Sequence, residues 1–297
     1  HSMSEAFLFA GLKVLDVGSW IAGPVAATML ADFGADVIKI EMPGVGDQYR
    51  QLSAAANTPV ADSNYMWQMD GRNKRSLALN LKTEAGMTIL HQLIAECDVY
   101  ITNHPLPMRR ALQLNYEDLK PLNPSMIYAS LTAYGETGPD KDMEGFDLVA
   151  YWARTGLMDL VRAPGAAPTQ ALPGMGDHPS AVSLYAGIVT ALLKRERSGE
   201  GGMVHTSLLA NGLWSMACIA QGGFAGGSFD SYRALKATHL FATTLYRTLD
   251  DRWLQFTMVR APEDVVRLFE TIGLADIIRE ERFTTPEGRF EHGEELA

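Results

Sequence analysis

The chain has 297 residues, a formal net charge of −10, 47% hydrophobic residues and 20% charged ones, which describes a globular protein with a sizeable core and room for two domains. The acidic balance argues against nucleic acid as a partner, since that binding neutralises phosphates with Lys and Arg, though it leaves room for one small anion in a local basic pocket. Two distant cysteines, Cys97 and Cys218, make neither a disulfide framework nor a zinc site, and no run reaches the ~18 apolar residues of a membrane span, so a cytoplasmic enzyme is expected.

His1–Met3 read as a tag remnant rather than a signal peptide. The first half of the chain then alternates strand and helix. KVLDVG (13–18) reads as a strand, and GPVAATMLADFGA (23–35) as a helix with Pro24 in its first turn and Gly34 at its stop. DVIKIE (36–41), SLALNL (76–81), DVYITN (98–103) and MIYASLTAYG (126–135) are further strands, separated by helical patterns at 83–96 and 115–122. Strands linked by helical crossovers predict an α/β fold, a Rossmann-like, mostly parallel sheet with helices on both faces. GFDLVAYWARTGLMDLV (145–161) reads as a helix that packs Tyr151 and Trp152 inward and solvates Arg154. A long helix follows PGMGDHP and ends at Gly199, and MVHT (203–206) runs as a strand into an apolar helix. QGGFAGGS (221–228) reads as a flexible hinge or lid. A hairpin turning near Asp250–Asp251 and a helix at PEDVVRLFETIGL then open a smaller α+β domain. The expected organisation is therefore a large domain over 1–222, a linker over 223–240 and a small domain over 241–297, which the polar ending RFEHGEELA leaves looking truncated.

The first βα turn, GSWIAGP, is neither G-x-G-x-x-G nor a P-loop, although Glu41 stands where a Rossmann fold holds a ribose. A plain helix N-terminus is the simpler reading. Arg72, Lys74, Arg75 and Lys82 cluster around one strand, either as a solvated edge or as a pocket for a phosphorylated carrier. His178 and His205 have no partners at metal-ligand spacing, and no G-x-S-x-G elbow is present. Asp177 is the sharpest candidate. It is either an ordinary N-cap or a reactive carboxylate in a glycine turn. Pro179 at the first helical position would set Asp177 one step outside the helix, Gly174 and Gly176 would clear an approach to it, and helix N–H groups would keep it ionised. Such a carboxylate is a nucleophile.

The segments GLKVLDVGSWIAGPVAATMLADFGADVIKIEMPGVGD, NKRSLALNLKTEAG, NPSMIYASLTAYGETGP, GFDLVAYWARTGLM and PGMGDHPS…GIVTALLKRERSGEGG together resemble the class III CoA-transferases, the family of formyl-CoA transferase and the carnitine CoA-transferases. The resemblance implies two chains interlocked as links of a homodimer, acyl-CoA and carboxylic acids as the small-molecule partners, and CoA as a substrate rather than a bound cofactor. It implies that Asp177 is the nucleophile, passing through a mixed anhydride and an aspartyl-CoA thioester, with turn N–H groups at Gly174 and Gly176 serving the oxyanion. Ile21, Ala22, Leu79, Lys82, Asn103 and His104 match CoA-binding positions, and Arg75 beside them is added on electrostatic grounds. Two family arginine positions read Met42 and Ala111, with Arg109 or Arg110 as substitutes for the second. Related racemases carry a His where this chain has Phe146, before Asp147, and racemisation needs two proton-transfer groups. A racemase or a non-catalytic CoA-binding homologue are the rival readings.

Overall fold

The computed structural model describes residues 7–54, 58–237, 240–257, 259 and 261–297. Positions 238 and 239 of the expected linker, and the tag-like start, lie outside them.

Strand β1 (Lys13–Asp16), helix α1 (Ala22–Asp32) and strand β2 (Asp36–Glu41) form the first crossover unit. Gly34 closes α1 as expected, at φ +98°, and a Cβ there would press to 2.3 Å from Phe7. Helix α2 (Tyr65–Asp70) precedes β3 (Arg75–Ala78), α3 (Glu84–Glu96), β4 (Val99–Thr102), α4 (Leu106–Ala111), α5 (Tyr116–Leu119) and β5 (Ile127–Thr132). The expected helix at 145–161 is instead one π-helical turn, Leu148–Ala153, followed by the short α6 (Leu157–Leu160). Next come α7 (Asp177–Ser198), stopped by Gly199 in a left-handed conformation, β6 (Gly202–Ser207), α8 (Leu208–Ser215) and α9 (Ala217–Phe224).

All six strands pair in parallel in the order β3-β2-β1-β4-β5-β6. Alternation along the strands builds two cores. Val14, Val37, Val99, Ile101 and Ala129 pack against Ala26 and Leu30 of α1 and Leu184 and Ile188 of α7. Leu15, Ile40, Tyr100 and Tyr128 point to the other face and meet Leu90 and Ile94 of α3. Apolar strands buried on both faces are what parallel sheets require.

The chain forms two compact units, one up to Arg162 with Ala167–Cys218, the other Ala163–Ala166 with Ile219–Ala297. In the second, α10 (Phe229–Ala237) precedes the antiparallel strands β7 (Leu245–Arg247) and β8 (Trp253–Gln255), whose turn contains Asp251 at φ +61°, and α11 (Pro262–Thr271). Phe241, Val265, Phe269, Ile278 and Phe283 are its core. The glycine run read as a hinge is in part helical, because Gln221–Phe224 finish α9. Its remaining glycines cap that helix, with Gly226 at φ +88° and Gly227 N–H donating to Gly222 O at 2.9 Å. Glycines favour such left-handed helix ends.

Candidate active site

The strand order reverses at β1, whose neighbours β2 and β4 carry crossovers in opposite directions, and a crevice forms there beyond the carboxyl ends of the strands. It holds a cavity of about 550 Å³ lined by residues that follow β1, β2, β3, β4 and β5, with Asp177 among them.

The β1–α1 turn is hung from both sides. Asn103, just past β4, accepts the Ser19 N–H at 2.8 Å and donates its amide to Ser19 O at 2.7 Å. Gly18 and Gly23 allow this approach, since a Cβ on either would fall 3.0–3.2 Å from the Asn103 side chain. Trp20 takes φ +65°, unusual for a bulky residue, and its N–H donates to Asp47 Oδ1 at 3.0 Å. Beneath lies a buried ionic cluster. Lys39 Nζ sits 2.8 Å from Asp47 Oδ2 and donates to Gly18 O at 3.0 Å, while Lys74 Nζ bridges Asp16 (2.9 Å) and Pro24 O (2.6 Å). Buried charges persist only when paired in this way.

The turn carrying Asp177 is organised around its neighbours. Asp147, at the start of the π turn, accepts the Gly176 N–H at 3.0 Å. Tyr151 occupies the space beside Gly176, where a Cβ would lie 2.7 Å from its ring, and its hydroxyl pairs with Ser215. Gly174 takes φ +78° beneath the His178 ring, 2.9 Å from where its Cβ would be. Both glycines therefore serve packing. Neither lines the cavity, and the Gly176 N–H is spent on Asp147, so it is not a free oxyanion donor.

Asp177 is half-buried and is the first residue of α7, with Pro179 third. This corrects the expectation that Pro179 starts the helix; the first turn leaves several N–H groups unbonded, so proline fits at any of those positions. It also removes the N-cap reading, because no donor reaches the Asp177 carboxylate among the described residues and Gly176 holds the cap position. The expectation that Asp177 stays ionised is corrected as well. Burial, then the neighbouring Asp147 and Asp70 carboxylates, push its pKa up to about 7 despite His178 and the helix end.

The other two buried carboxylates of the cavity are both engaged. Glu41 receives a bidentate Arg50 (2.8 and 2.7 Å), the Asp47 N–H (2.8 Å) and Ser76 (2.8 Å). Burial opposes its ionisation, yet these donors hold its pKa down to about 2, so Glu41 is structural and not a ribose ligand. Asp47 is consumed by Lys39, Trp20 and Tyr49.

Six of the seven CoA candidates, Ile21, Ala22, Leu79, Lys82, Asn103 and His104, line this same cavity. Arg75 does not. It opens β3 and forms a bidentate pair with Asp36 at the start of β2, at the amino ends of the strands and away from the cavity. The rest of the basic cluster dissolves similarly, with Arg72 on Asp32 and Lys74 buried. Neither proposed arginine substitute reaches the cavity. Arg109 is buried against Glu136 (2.7 Å) and Tyr128 (3.0 Å), and Arg110 pairs with Asp142. Met42, Met108 and Leu112 line the wall instead. Asn103 presents a side chain whose amide is already committed to Ser19, so its part is to shape the turn. Burial, then nearby Lys39 and Arg109, push His104 down to about 4, leaving a neutral ring at the cavity whose Nδ1 has no partner among the described residues.

Sequence reasoning gave Tyr49 and Asp70 no role, met Asp147 only beside Phe146, and tested His178 as a metal ligand without giving it a part in the site. His178 Nδ1 lies 2.9 Å from Gly174 O and Nε2 lies 3.1 Å from Asp70 Oδ1, while Tyr49 donates to Asp70 Oδ2 at 2.6 Å. No local motif announces contacts made across 108 residues of chain. Among the described residues no cluster of metal-ligating side chains occurs and no helix is long and apolar enough to cross a membrane.

The model of CoA-transferase family III matches residues 9–297. The (R)-2-hydroxy-4-methylpentanoate CoA-transferase of Clostridioides difficile is 32% identical over 97% of this chain and 72% of its own length. The cinnamoyl-CoA:phenyllactate CoA-transferase of Clostridium sporogenes is 34% identical over 93% of this chain and 67% of its own. Among solved structures, a CAIB/BAIF family protein from Brucella suis superposes with a TM-score of 0.81 at 27% identity, covering 97% of this chain and 76% of that one. Rv3272 from Mycobacterium tuberculosis gives 0.83 at 28% identity, over 98% and 76%. An aspartate at the head of α7 with no hydrogen-bond donor among the described residues, facing a crevice built on this sheet order, thus occurs in a chain that belongs to CoA-transferase family III, a family of enzymes.

Proposed function

We propose that this enzyme moves CoA from an acyl-CoA to a free carboxylic acid through covalent chemistry at Asp177. One observation carries the reading. Of the buried or half-buried carboxylates lining the cavity, Asp177 is the one that no donor engages among the described residues. A carboxylate without hydrogen-bond donors keeps its lone pairs and its basicity for attack.

In the proposed sequence, Asp177 Oδ attacks the thioester carbonyl, the C–S bond breaks, and CoA leaves as thiolate from a mixed anhydride. The thiolate attacks the Asp177 carbonyl carbon and expels the donor acid as carboxylate, leaving an aspartyl-CoA thioester. The acceptor carboxylate repeats the first step on that thioester, and CoA thiolate then attacks the acceptor carbonyl, releasing the new acyl-CoA and the Asp177 carboxylate. Protons, acyl groups and sulfur balance over the cycle without a permanently bound cofactor. The partly enclosed site favours the reaction by keeping water from the anhydride.

CoA is expected along the wall formed by Ile21, Ala22, Leu79, Lys82 and His104, with Lys82 the exposed cation there. Trp20 and Phe146, edge to face at 5.5 Å, together with Leu208, give the cavity an apolar wall. That wall, and the substrates named for the two relatives from Clostridioides difficile and Clostridium sporogenes, favour monocarboxylic acids with apolar side chains. Phe146 has no proton to transfer, which weighs against a racemase. The active form in this reading is an interlocked homodimer, as the family resemblance implies, in the cytoplasm, as the two unpaired cysteines suggest, and light scattering of the purified protein tests its mass.

Turnover of an acyl-CoA and acid pair by Asp177→Ala tests the chemistry. Loss of exchange with retained CoA-ester binding is expected. Undiminished exchange refutes the role of Asp177, and exchange of solvent deuterium into the α-carbon of a 2-methylacyl-CoA would support the racemase reading instead.

A further inference from the structure

The site holds an imidazole next to its aspartate in sequence and tied to a second carboxylate 108 residues away. His178 Nδ1 faces the Gly174 carbonyl oxygen at 2.9 Å, and Nε2 faces both Asp70 oxygens at 3.1 and 3.2 Å. A carbonyl and a carboxylate can only accept. A neutral ring has one N–H, so one of its nitrogens would turn a lone pair toward an acceptor. Both contacts are hydrogen bonds only if the ring carries both protons.

The acceptors are fixed in place. Asp70 closes α2, is 3% exposed, and takes the Tyr49 hydroxyl at 2.6 Å, while its main-chain oxygen takes the Thr28 hydroxyl at 2.5 Å. Gly174 O receives the His178 main-chain N–H at 3.0 Å as well as the ring. The same histidine therefore closes the turn from Gly174 to Asp177 twice and moors it to a different element.

Resting on the reading of Asp177 as nucleophile, we propose that His178 is a positioning residue, held as an imidazolium by Asp70 and Tyr49, which fixes the turn that presents Asp177 and supplies a positive charge beside it. The groups that face this ring are Gly174 O from the preceding turn, Asp70 from α2 and Asp177 from its own helix, with Tyr49 acting through Asp70. Asp147, which accepts the Gly176 N–H, also opposes the ionisation of Asp177. Asp70 and Asp177 thus share one imidazolium, and removing its charge leaves Asp177 with the Asp147 and Asp70 carboxylates alone. The Asp70 hydrogen bond raises the His178 pKa against partial burial, and His178 in turn is the group that draws the Asp177 pKa down.

Two measurements test this, both on the full chain. In the first, the pH dependence of kcat/KM is compared for wild type, His178→Gln and Asp70→Asn. The midpoint is expected to rise by about one pH unit in His178→Gln, so that activity falls roughly tenfold near pH 6.5 and recovers toward wild type by pH 9, and to rise by less in Asp70→Asn, which removes a carboxylate that itself opposes Asp177 ionisation. A loss equal at every pH means a purely structural role and overturns the proposal. The second uses 15N-histidine NMR on Asp177→Asn, where the nucleophile is absent and the ring contacts remain. Both His178 nitrogens are expected to be protonated at pH 7.5, and a neutral ring there overturns the proposal whether or not Asp177 is the nucleophile. If Asp177 is not the nucleophile but the ring is doubly protonated, the first measurement shows no midpoint shift, which separates the two failures.

Discussion

Replacing Asp177 by Asn should stabilise the protein while abolishing its chemistry. The fold moves the Asp177 pKa from the ordinary 3.8 to about 7, through burial first and the Asp147 carboxylate second. Each pKa unit corresponds to about 1.36 kcal/mol, so forcing the carboxylate to ionise in place costs about 4 kcal/mol, and allowing half for solvent reaching a half-buried group leaves about 2 kcal/mol. The folded pKa lies above the unfolded one. The protonated side chain's contribution is therefore complete below about pH 4, is lost as pH rises toward 7, and stays lost above. Asn is neutral throughout and similar in shape, so it escapes the loss. Denaturant or thermal unfolding of wild type and Asp177→Asn at pH 4, 5.5, 7 and 8.5 should give curves that nearly coincide at pH 4 and separate with rising pH. The gap should level off above pH 7 at about 2 kcal/mol, or roughly 4–8 °C for a unit of this size. Stabilisation by removing a strained functional group is a known trade between stability and activity. A difference independent of pH, or a less stable variant at pH 8.5, refutes the claim that this site holds a carboxylate against its preference.

The same perturbed carboxylate predicts that kcat/KM for the acyl-CoA rises with pH through a midpoint near 7, because only the ionised form attacks; a profile flat from pH 5.5 to 8.5 contradicts it. Lys82→Ala should raise KM for CoA esters several-fold with less effect on kcat, whereas Arg75→Ala, on the far edge of the sheet, should leave both within twofold. Steady-state kinetics on both variants separates the two. Lys39→Met should destabilise the protein by about 3–5 kcal/mol, because Asp47 and Asp16 would remain buried without that cation; urea unfolding measures it, and a change below about 1 kcal/mol would show that the cluster is not holding the β1–α1 turn.

The sheet was legible in the sequence because its strands are short apolar runs punctuated by turn residues, and the crossovers made them parallel. Their spatial order was not, since pairing β1 with β4 rather than β3 is decided by long-range packing. At the site, Asp177 stood out from its glycine turn before the resemblance gave it a role, whereas the six residues that line the cavity wall came from the resemblance. Arg75 was misplaced because sequence proximity to Lys82 hides the length of β3, which carries the chain from one edge of the sheet toward the cavity edge. Glycines 174 and 176 were read as clearance for a substrate, yet their missing side chains make room for His178 and Tyr151. The error over ionisation has a similar origin. A helix N-terminus is visible in sequence and favours charge, whereas the burial and the Asp147 carboxylate that outweigh it come from the fold. Asp70 and Tyr49 gave no signal because their roles exist only once α2 lies against the start of α7.

The central claim concerns a bond, and mass spectrometry of the protein reads it directly. Wild-type enzyme incubated with an acyl-CoA without acceptor acid, quenched in acid and digested, should yield the peptide containing Asp177 with CoA attached as a thioester, removable by hydroxylamine and absent from Asp177→Asn. Productive exchange with every adduct on another residue, or with the Asp177→Asn enzyme fully active, would contradict the account.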